Sequence, residues 1–280
     1  MSGTLFVVAT PIGNLEDITL RALRVLREAD LIAAEDTRRT AKLLAHYAIS
    51  TPTISFHEHN SRQRVPELIE RLQAGGKVAL VSDAGTPGIA DPGIALVQAC
   101  WEKSIPIDPV PGASAPLAAA VASGFPLEPL TIVGFVPARA NDRTRWLQRL
   151  RETPSTIVFF ESPHRIERTL AELAVYFGDR PICVGRELTK VHQELIRGDS
   201  ASIIGRITNP KGEFTVVIGP QTASTSLTEA PPDEQIYSEF CGLTNEAPSR
   251  RAAVAELATK YGLTTKYVYS AIERLRGVNS

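Results

Sequence analysis

The sequence predicts an α/β fold in two domains followed by a small helical module, and three observations carry that prediction. Short apolar runs alternate with amphipathic stretches through the first 115 or so residues, a second such series follows, and a Thr/Ser/Pro-rich stretch then precedes a purely helical pattern. Alternation of this kind marks βαβ units and a mainly parallel sheet.

TLFVVAT reads as a strand and leads into a helix over Leu15 to Ala29, where Ile18, Ala22, Val25, Leu26 and Ala29 recur at three- and four-residue spacing. DLIAA leads into Thr37 to Tyr47 and TPTISF into Ser61 to Ala74, with Gly75 and Gly76 closing that helix before the strand KVALVS. Ile105 to Val110 reads as another strand, and Ala113 to Ser123 as a small-residue helix stopped by Gly124-Phe125-Pro126. The second series comprises LTIVGFV, a basic helix over Asn141 to Glu152, STIVFFES, a helix over Ile166 to Phe177, and PICVGREL. SASIIGRI and EFTVVIG, parted by Thr208 to Gly212, suggest an antiparallel hairpin that makes the second domain mixed. Domains are therefore expected at 1–115 and 116–220, with a linker at 221–234 and a module at 235–280. In that module Ser249 caps a helix bearing Ala253, Leu257 and Tyr261, Gly262 ends it, and Thr264 opens another with Val268, Ile272 and Leu275. Two such helices fit a helix-turn-helix or a plain helical hairpin.

The loops after the apolar runs are the most informative segments. VSDAGTPGIADPG, Val81 to Gly93, packs three glycines and two prolines behind KVAL, and TPIGN (10–14) and PGAS (111–114) follow other strands. Glycine permits positive φ and close approach, proline fixes φ, and Asp83 and Asp91 add acceptors, so backbone itself can reach a ligand. In open α/β sheets ligands sit beyond the carboxyl ends of the strands, where such loops gather. No G-x-G-x-x-G occurs, which argues against a Rossmann type of nucleotide site.

A chain of 280 residues with 43% hydrophobic content can fill two ordinary domains. Cys100, Cys183 and Cys241 are too scattered for a disulfide framework or a zinc site. No apolar run approaches ~18 residues and no signal peptide is visible, so a soluble cytoplasmic protein is expected. The net charge of −1 conceals two basic islands. Residues 139–151 carry Arg139, Arg143, Arg145, Arg149 and Arg151 against Asp142, and residues 245–280 carry six basic side chains, Arg250 and Arg251 among them, against three acidic ones. Clustered Arg near Trp146 is the footprint of phosphate and base contact, and a solvated helix face is the competing reading. His57 and His59 lie two apart on a strand but lack a third metal ligand, so no metal is expected. Glu35 to Arg39 reads as a helix cap with surface charge, and His164-Arg165 opens a helix where a phosphate can dock.

Taken in order, VATPIGNLEDIT, AAEDTRRTAKLLAHY, SFHEHN, VSDAGTPGIADPG, PGASA, VGFVP, FFESPHR, ELTKVHQELIRG and KGEFTVVIG make residues 1–220 similar to the tetrapyrrole-methylase superfamily, in its branch acting on small-subunit ribosomal RNA. The resemblance implies S-adenosylmethionine (SAM) in a cleft between two α/β domains, a cytidine ribose in the decoding region of 16S rRNA as methyl acceptor, and a homodimer. It implies that Pro11 walls the SAM site, that Asp83, Ala84, Gly85, Thr86, Pro87, Ile89 and Ala90 cradle the cofactor, and that Ser114 and Ala115 close on it. Phe160 with Gly212, Glu213 and Phe214 would cover the adenosine, and the stretch with Arg38 and Arg39 would face RNA; the charge pattern adds Arg143, Arg145, Arg149, Arg250 and Arg251, and the helix start adds Arg165. A base helps because the hydroxyl proton must leave; Glu161, Glu187, Lys190 and Glu213 are candidates, with Lys190 and Glu187 favoured. A lysine serves only if burial lowers its pKa from about 10.4, and an ion pair holding a loop is the other role open to the Lys190–Glu187 pair. The chain has Gln193 where two acidic residues would follow the histidine, which makes an indispensable role for Gln193 unexpected. A tetrapyrrole or diphthamide-pathway methyltransferase, and a non-catalytic RNA-binding assembly factor, remain as rivals.

Overall fold

Continuous rather than alternating apolar strands need cover on both faces, and the first half of the chain obtains it. The computed structural model describes residues 2–89, 93–207, 210–221, 231–246, 249–261, 263 and 265–276. The chain divides into two compact units, 1–221 and 222–280. In the first unit β1 (Thr4–Val8), β2 (Leu31–Ala34), β3 (Thr53–Ser55), β4 (Lys77–Val81) and β5 (Ile107–Val110) form a parallel sheet of order β3-β2-β4-β1-β5. It is flanked by α1 (Leu20–Glu28), α2 (Thr37–His46), α3 (Ser61–Gln73) and α4 (Gly93–Glu102). Leu31, Ala33, Val78 and Leu80 pack with Leu68, Leu72 and Leu96, whereas Ile32, Ala34, Ala79 and Val81 meet Ala22, Val25, Leu26 and Leu44 on the opposite face. The helix expected from Leu15 starts later. Asn14 caps a single 3₁₀ turn, Leu15–Asp17, the backbone returns to extended geometry, and Thr19 Oγ1 accepts the Ala22 N–H to open α1.

Helix α5 (Ala115–Ser123) carries Ala119, Ala120 and Ser123 buried, and its small side chains let it lie close against a second sheet before Gly124, at φ +67, ends it. That sheet contains β6 (Leu130–Phe135), β7 (Thr156–Glu161), β8 (Ile182–Arg186), β9 (Glu194–Gly198) and β10 (Phe214–Ile218) in the order β6-β7-β10-β8-β9, with β6 and β7 parallel and the other pairs antiparallel. Its helices are α6 (Ala140–Arg151), α7 (Ile166–Phe177) and the short α8 (Ser200–Ile204). The mixed sheet is as expected, but the hairpin is not. SASIIGRI supplies α8 rather than a strand, because Asp199 accepts the Ser202 N–H at 2.8 Å and caps a helix there. The hairpin joins β8 to β9, and β10 runs between β7 and β8.

The second unit holds α9 (Asp233–Glu246), α10 (Arg250–Tyr261) and α11 (Thr265–Arg276) around Ile236, Phe240, Ala253, Leu257, Val268 and Ile272. Ser249 accepts the Ala252 N–H as its capping role requires. Helix α9 was not expected, and it starts inside the stretch read as linker; most of that stretch, like Gly262 and Thr264, lies outside the described residues. It also changes the electrostatics. Residues 233–276 carry six basic side chains and six acidic ones, so the excess counted from residue 245 onward disappears. Arg274 pairs with Asp233 and Lys260 with Glu239, while Arg250 and Arg251 stay exposed. Among the described residues no helix is long and apolar enough to cross a membrane.

A buried ionic cluster fixes the end of β7. The Glu161 side chain is fully buried and accepts hydrogen bonds from the Ser162 N–H (2.7 Å) and Thr169 Oγ1 (2.6 Å), and it is ion-paired with Arg165 Nη2 at 2.7 Å and Arg143 Nη1 at 3.6 Å. Arg143, 3% exposed, also donates to Glu172 and to Thr169 Oγ1. The RNA role expected for Arg143 is thereby overturned. Arg143, Trp146, Leu147 and Leu150 share the inward face of α6, and Trp146 meets Phe159 edge-on rather than facing solvent. Arg145 and Arg149 lie on the exposed face, Arg145 beside Asp142. Arg143→Ala leaves Glu161 buried without one of its cations, and urea unfolding should show a loss of about 3–5 kcal/mol. Arg145→Ala should leave the unfolding midpoint unchanged.

Candidate functional site

The Gly/Pro loops share the carboxyl edge of the parallel sheet, and backbone hydrogen bonds stitch them together. Thr10 N–H donates to Gly85 O (2.9 Å), and Gly85 N–H returns a bond to Thr10 O (3.0 Å). Thr10 Oγ1 donates to Ser82 O, and Thr86 Oγ1 to Ala113 O. Gly85 sits at φ +80, and a Cβ there would lie 3.3 Å from Ile12 Cγ2. Glycine is thus required by conformation as well as by space. The β2 and β4 loops clasp each other: Asp83 N–H donates to Glu35 Oε2 (3.1 Å), and Asp83 Oδ1 accepts from the Asp36 N–H (2.9 Å). Arg39 lies 3.6 Å from Asp83 Oδ2, and hydrogen bonds from Arg38 hold the Asp36 carboxyl down at about 2.

A cleft of about 380 Å³ opens between this edge and the second sheet. The first sheet contributes Ile12, Glu35, Arg39, residues 82–86, Ile89 and the 114–116 turn. The second contributes Phe135, residues 160–163, Leu188 and residues 212–215, with the Phe135 and Phe160 rings 5.1 Å apart. The structure brings Asp83, Ala84, Gly85, Thr86, Ile89, Ser114, Ala115, Phe160, Gly212, Glu213 and Phe214, which the family resemblance had grouped, onto one wall system. Pro11 and Pro87 are not among the lining residues, and Ala90 lies outside the described ones. The TPIGN turn expected to wall the site contributes Ile12, whereas Phe135 and Leu188 were missed. Phe135 had a signal: it follows Gly134, at φ +69, where the β6–β7 register shifts and turns an aromatic out at the strand end, 56% exposed.

Beside the cleft, Arg186 to Gln193 forms a strained loop with Glu187 at φ +48 and Thr189 at φ +66. Glu187 Oε1 accepts from Lys190 Nζ (2.8 Å) and from the Glu213 N–H (2.9 Å), and Lys190 Nζ also donates to Glu213 Oε2 (3.1 Å). Two glycines make room for this. A Cβ on Gly212, at φ +86, would overlap the Glu187 carboxylate, and one on Gly13 would run into the Lys190 stem. Thr189 Oγ1 accepts the Asn14 N–H (3.0 Å), which ties this loop to TPIGN. Gln193 Oε1 accepts the Thr189 N–H (2.7 Å), an acceptor role that a carboxylate would fill equally.

These contacts show the ion pair that was the other role open to Lys190 and Glu187. Burial acts to lower the Lys190 pKa, but hydrogen bonds to Glu187 and Glu213 and their charges outweigh it, so the net shift is upward. Burial acts to raise the Glu187 pKa, and the bonds from Lys190 and the Glu213 N–H reverse that, leaving it lowered. Lys190 is therefore a fixed cation and not a neutral base. Glu161 reaches the cleft wall, but both its oxygens are occupied beneath it by Arg143, Arg165, Thr169 and the Ser162 N–H. Arg165 is likewise committed, donating also to Ser162 Oγ and Val136 O. His57 and His59 stack edge-on at 6.0 Å, and the described residues hold no group of three metal-ligating side chains.

Comparison with known proteins gives concordant results. The profile of the tetrapyrrole (corrin/porphyrin) methylases matches residues 4–204. The ribosomal RNA small subunit methyltransferase I of a Synechocystis strain is 44% identical over 270 residues, covering 95% of this chain and 96% of that protein. The protein of the same name from Thermotoga maritima is 50% identical over 218 residues, which span 77% of this chain but 98% of the relative. Among solved structures, the uroporphyrin-III C-methyltransferase of Thermus thermophilus, complexed with S-adenosylhomocysteine, shares the fold at a TM-score of 0.53 and 18% identity, covering 77% of this chain and 97% of that one. With two sheets meeting at a backbone-built cleft and a family profile spanning most of the first unit, the chain belongs to the tetrapyrrole (corrin/porphyrin) methylase family.

Proposed function

We propose that the protein is a SAM-dependent methyltransferase that methylates the ribose 2′-hydroxyl of a cytidine in the decoding region of 16S rRNA. The observation that carries this reading is the cleft stitched by the Thr10–Gly85 bridge, taken with relatives 44% and 50% identical that are named for the small-subunit rRNA. The cleft suits SAM by its chemistry. Ser114 Oγ is buried there without a hydrogen-bond partner, Ile12, Phe135, Phe160 and Leu188 give apolar surface, and Arg39, the one cation among the described lining residues, stands beside Asp83. We read residues 1–115 as the half that cradles the cofactor and residues 116–220 as the half that covers it and receives the acceptor.

SAM supplies an electrophilic methyl group. The protein's own task is to hold the hydroxyl in line with it and keep water out. The 83–86 turn and Ser114 would hold the amino-acid and ribose polar groups, Phe160 and the 212–214 backbone would cover the adenosine, and the Lys190–Glu187–Glu213 group faces the acceptor. Arg38, Arg145 and Arg149, which are exposed, would meet RNA phosphates, and Arg250 and Arg251 of the second unit would add contacts. The active form is a cytoplasmic homodimer.

Labelled SAM offered separately to small subunits, total tRNA and uroporphyrinogen tests the reading, which expects label only in small subunits, as 2′-O-methylcytidine. Label in the tetrapyrrole or on a base would refute it. Gly85→Val forces a β-branched residue into positive φ, a strain of about 1–3 kcal/mol. Calorimetry should show SAM binding weaker by on the order of ten- to a hundredfold, and equal affinity would remove the turn from the site. Deleting residues 222–280 should leave SAM affinity intact, since almost the whole Thermotoga relative aligns within 218 residues. RNA affinity should fall and its salt slope should flatten by roughly 0.7–0.9 for each lost phosphate contact; an unchanged slope would assign the second unit another role.

A further inference from the structure

We infer that Glu213 is the carboxylate that takes the proton of the acceptor hydroxyl, with Lys190 and Glu187 as positioning residues behind it; this rests on the methyltransferase reading above. The described cleft wall carries four carboxylates, Glu35, Asp83, Glu161 and Glu213. Glu35 and Asp83 are locked in their mutual clasp, with Asp83 also facing the Asp36 N–H and Arg39. Glu161 is fully buried and has donors on both oxygens. Glu187 is absent from the wall, and its Oε1 is taken by two donors. Of the four, Glu213 alone is exposed. Its side chain is 61% exposed, it lines the cleft, and only Oε2 is engaged, by Lys190. Oε1 has no hydrogen bond among the described residues.

Lys190 is well suited to hold that carboxylate. Its ammonium is pinned by Glu187, Glu187 is seated against the bare Cα of Gly212, and the lysine stem packs on Gly13. The cation therefore has little freedom, and the Glu213 carboxylate it grips is kept at the cleft mouth. In the reaction, a lone pair of the hydroxyl oxygen forms the new C–O bond as the S–CH₃ bond breaks with its electron pair left on sulfur. The hydroxyl proton passes to Glu213 and then to solvent.

The test uses the full-length protein with E213Q, E213D and E187Q. Parent protein must first yield 2′-O-methylcytidine from small subunits; failure there refutes the functional reading and not the choice of base. Given that product, E213Q should lose about 100-fold or more in single-turnover rate while binding SAM within twofold of the parent by calorimetry, and E213D should recover part of the rate. E187Q should show a smaller loss, accompanied by weaker acceptor binding. A readout independent of turnover is carbodiimide footprinting by mass spectrometry. Glu213 should be labelled in the free protein and protected by small subunits without SAM, and Glu161 should stay unlabelled in both. An E213Q rate within threefold of parent, a parallel loss of SAM affinity, or labelling of Glu213 unaffected by the acceptor would each overturn the assignment.

Discussion

Everything at the cleft depends on the backbone pairing of Thr10 with Gly85. Two loops from non-adjacent points of the chain are held edge to edge by reciprocal N–H to O bonds of 2.9 and 3.0 Å, and the pairing requires Gly85 to sit at φ +80. A side chain at that position would strain the turn and press on Ile12. The parallel sheet makes the arrangement possible by delivering all its loops to one edge, and Thr86 extends the stitching to the loop after β5. Local conformational freedom at one residue thus becomes a preformed surface of backbone polar groups.

The charged groups around this surface fall into two kinds. Glu161 with Arg143, Arg165 and Thr169 is buried and saturated, and its effect is mechanical: it fixes the end of β7 and so the Phe160–Pro163 wall. The Lys190–Glu187–Glu213 group lies at the cleft mouth, partly exposed, in a loop with two non-glycine residues at positive φ. Strain of that sort persists only where the surroundings over-determine it, and here Gly13, Gly212, the Asn14 N–H and Gln193 do so.

The contrast explains what the sequence revealed. The Gly/Pro turns were legible because Gly and Pro constrain φ locally, and of the 14 residues that the family resemblance proposed for the cofactor, 11 line the cleft. The first sheet was legible because its continuous apolar runs carry the pattern of strands buried on both faces. Arg143 was misread by counting charge without phase, although it lies three and four residues before Trp146 and Leu147 on the stripe that faces the sheet. SASIIGRI was misread because five apolar or small residues suit a strand and a short helix equally, and Asp199 decides between them. In α9, Ile236 and Phe240 are spaced as a helix face, but the Pro/Ser/Thr stretch before them drew the boundary too late. The meeting of Gly13 with Lys190 joins positions 177 residues apart, and no local pattern announces it.

Amide hydrogen exchange measured with and without SAM addresses the central claim, that one ligand is gripped by backbone from both sheets. The account predicts simultaneous protection at residues 83–89, 113–116 and 212–215, with the second unit unaffected. Protection confined to the loops of one sheet, or appearing away from all three segments, would contradict it.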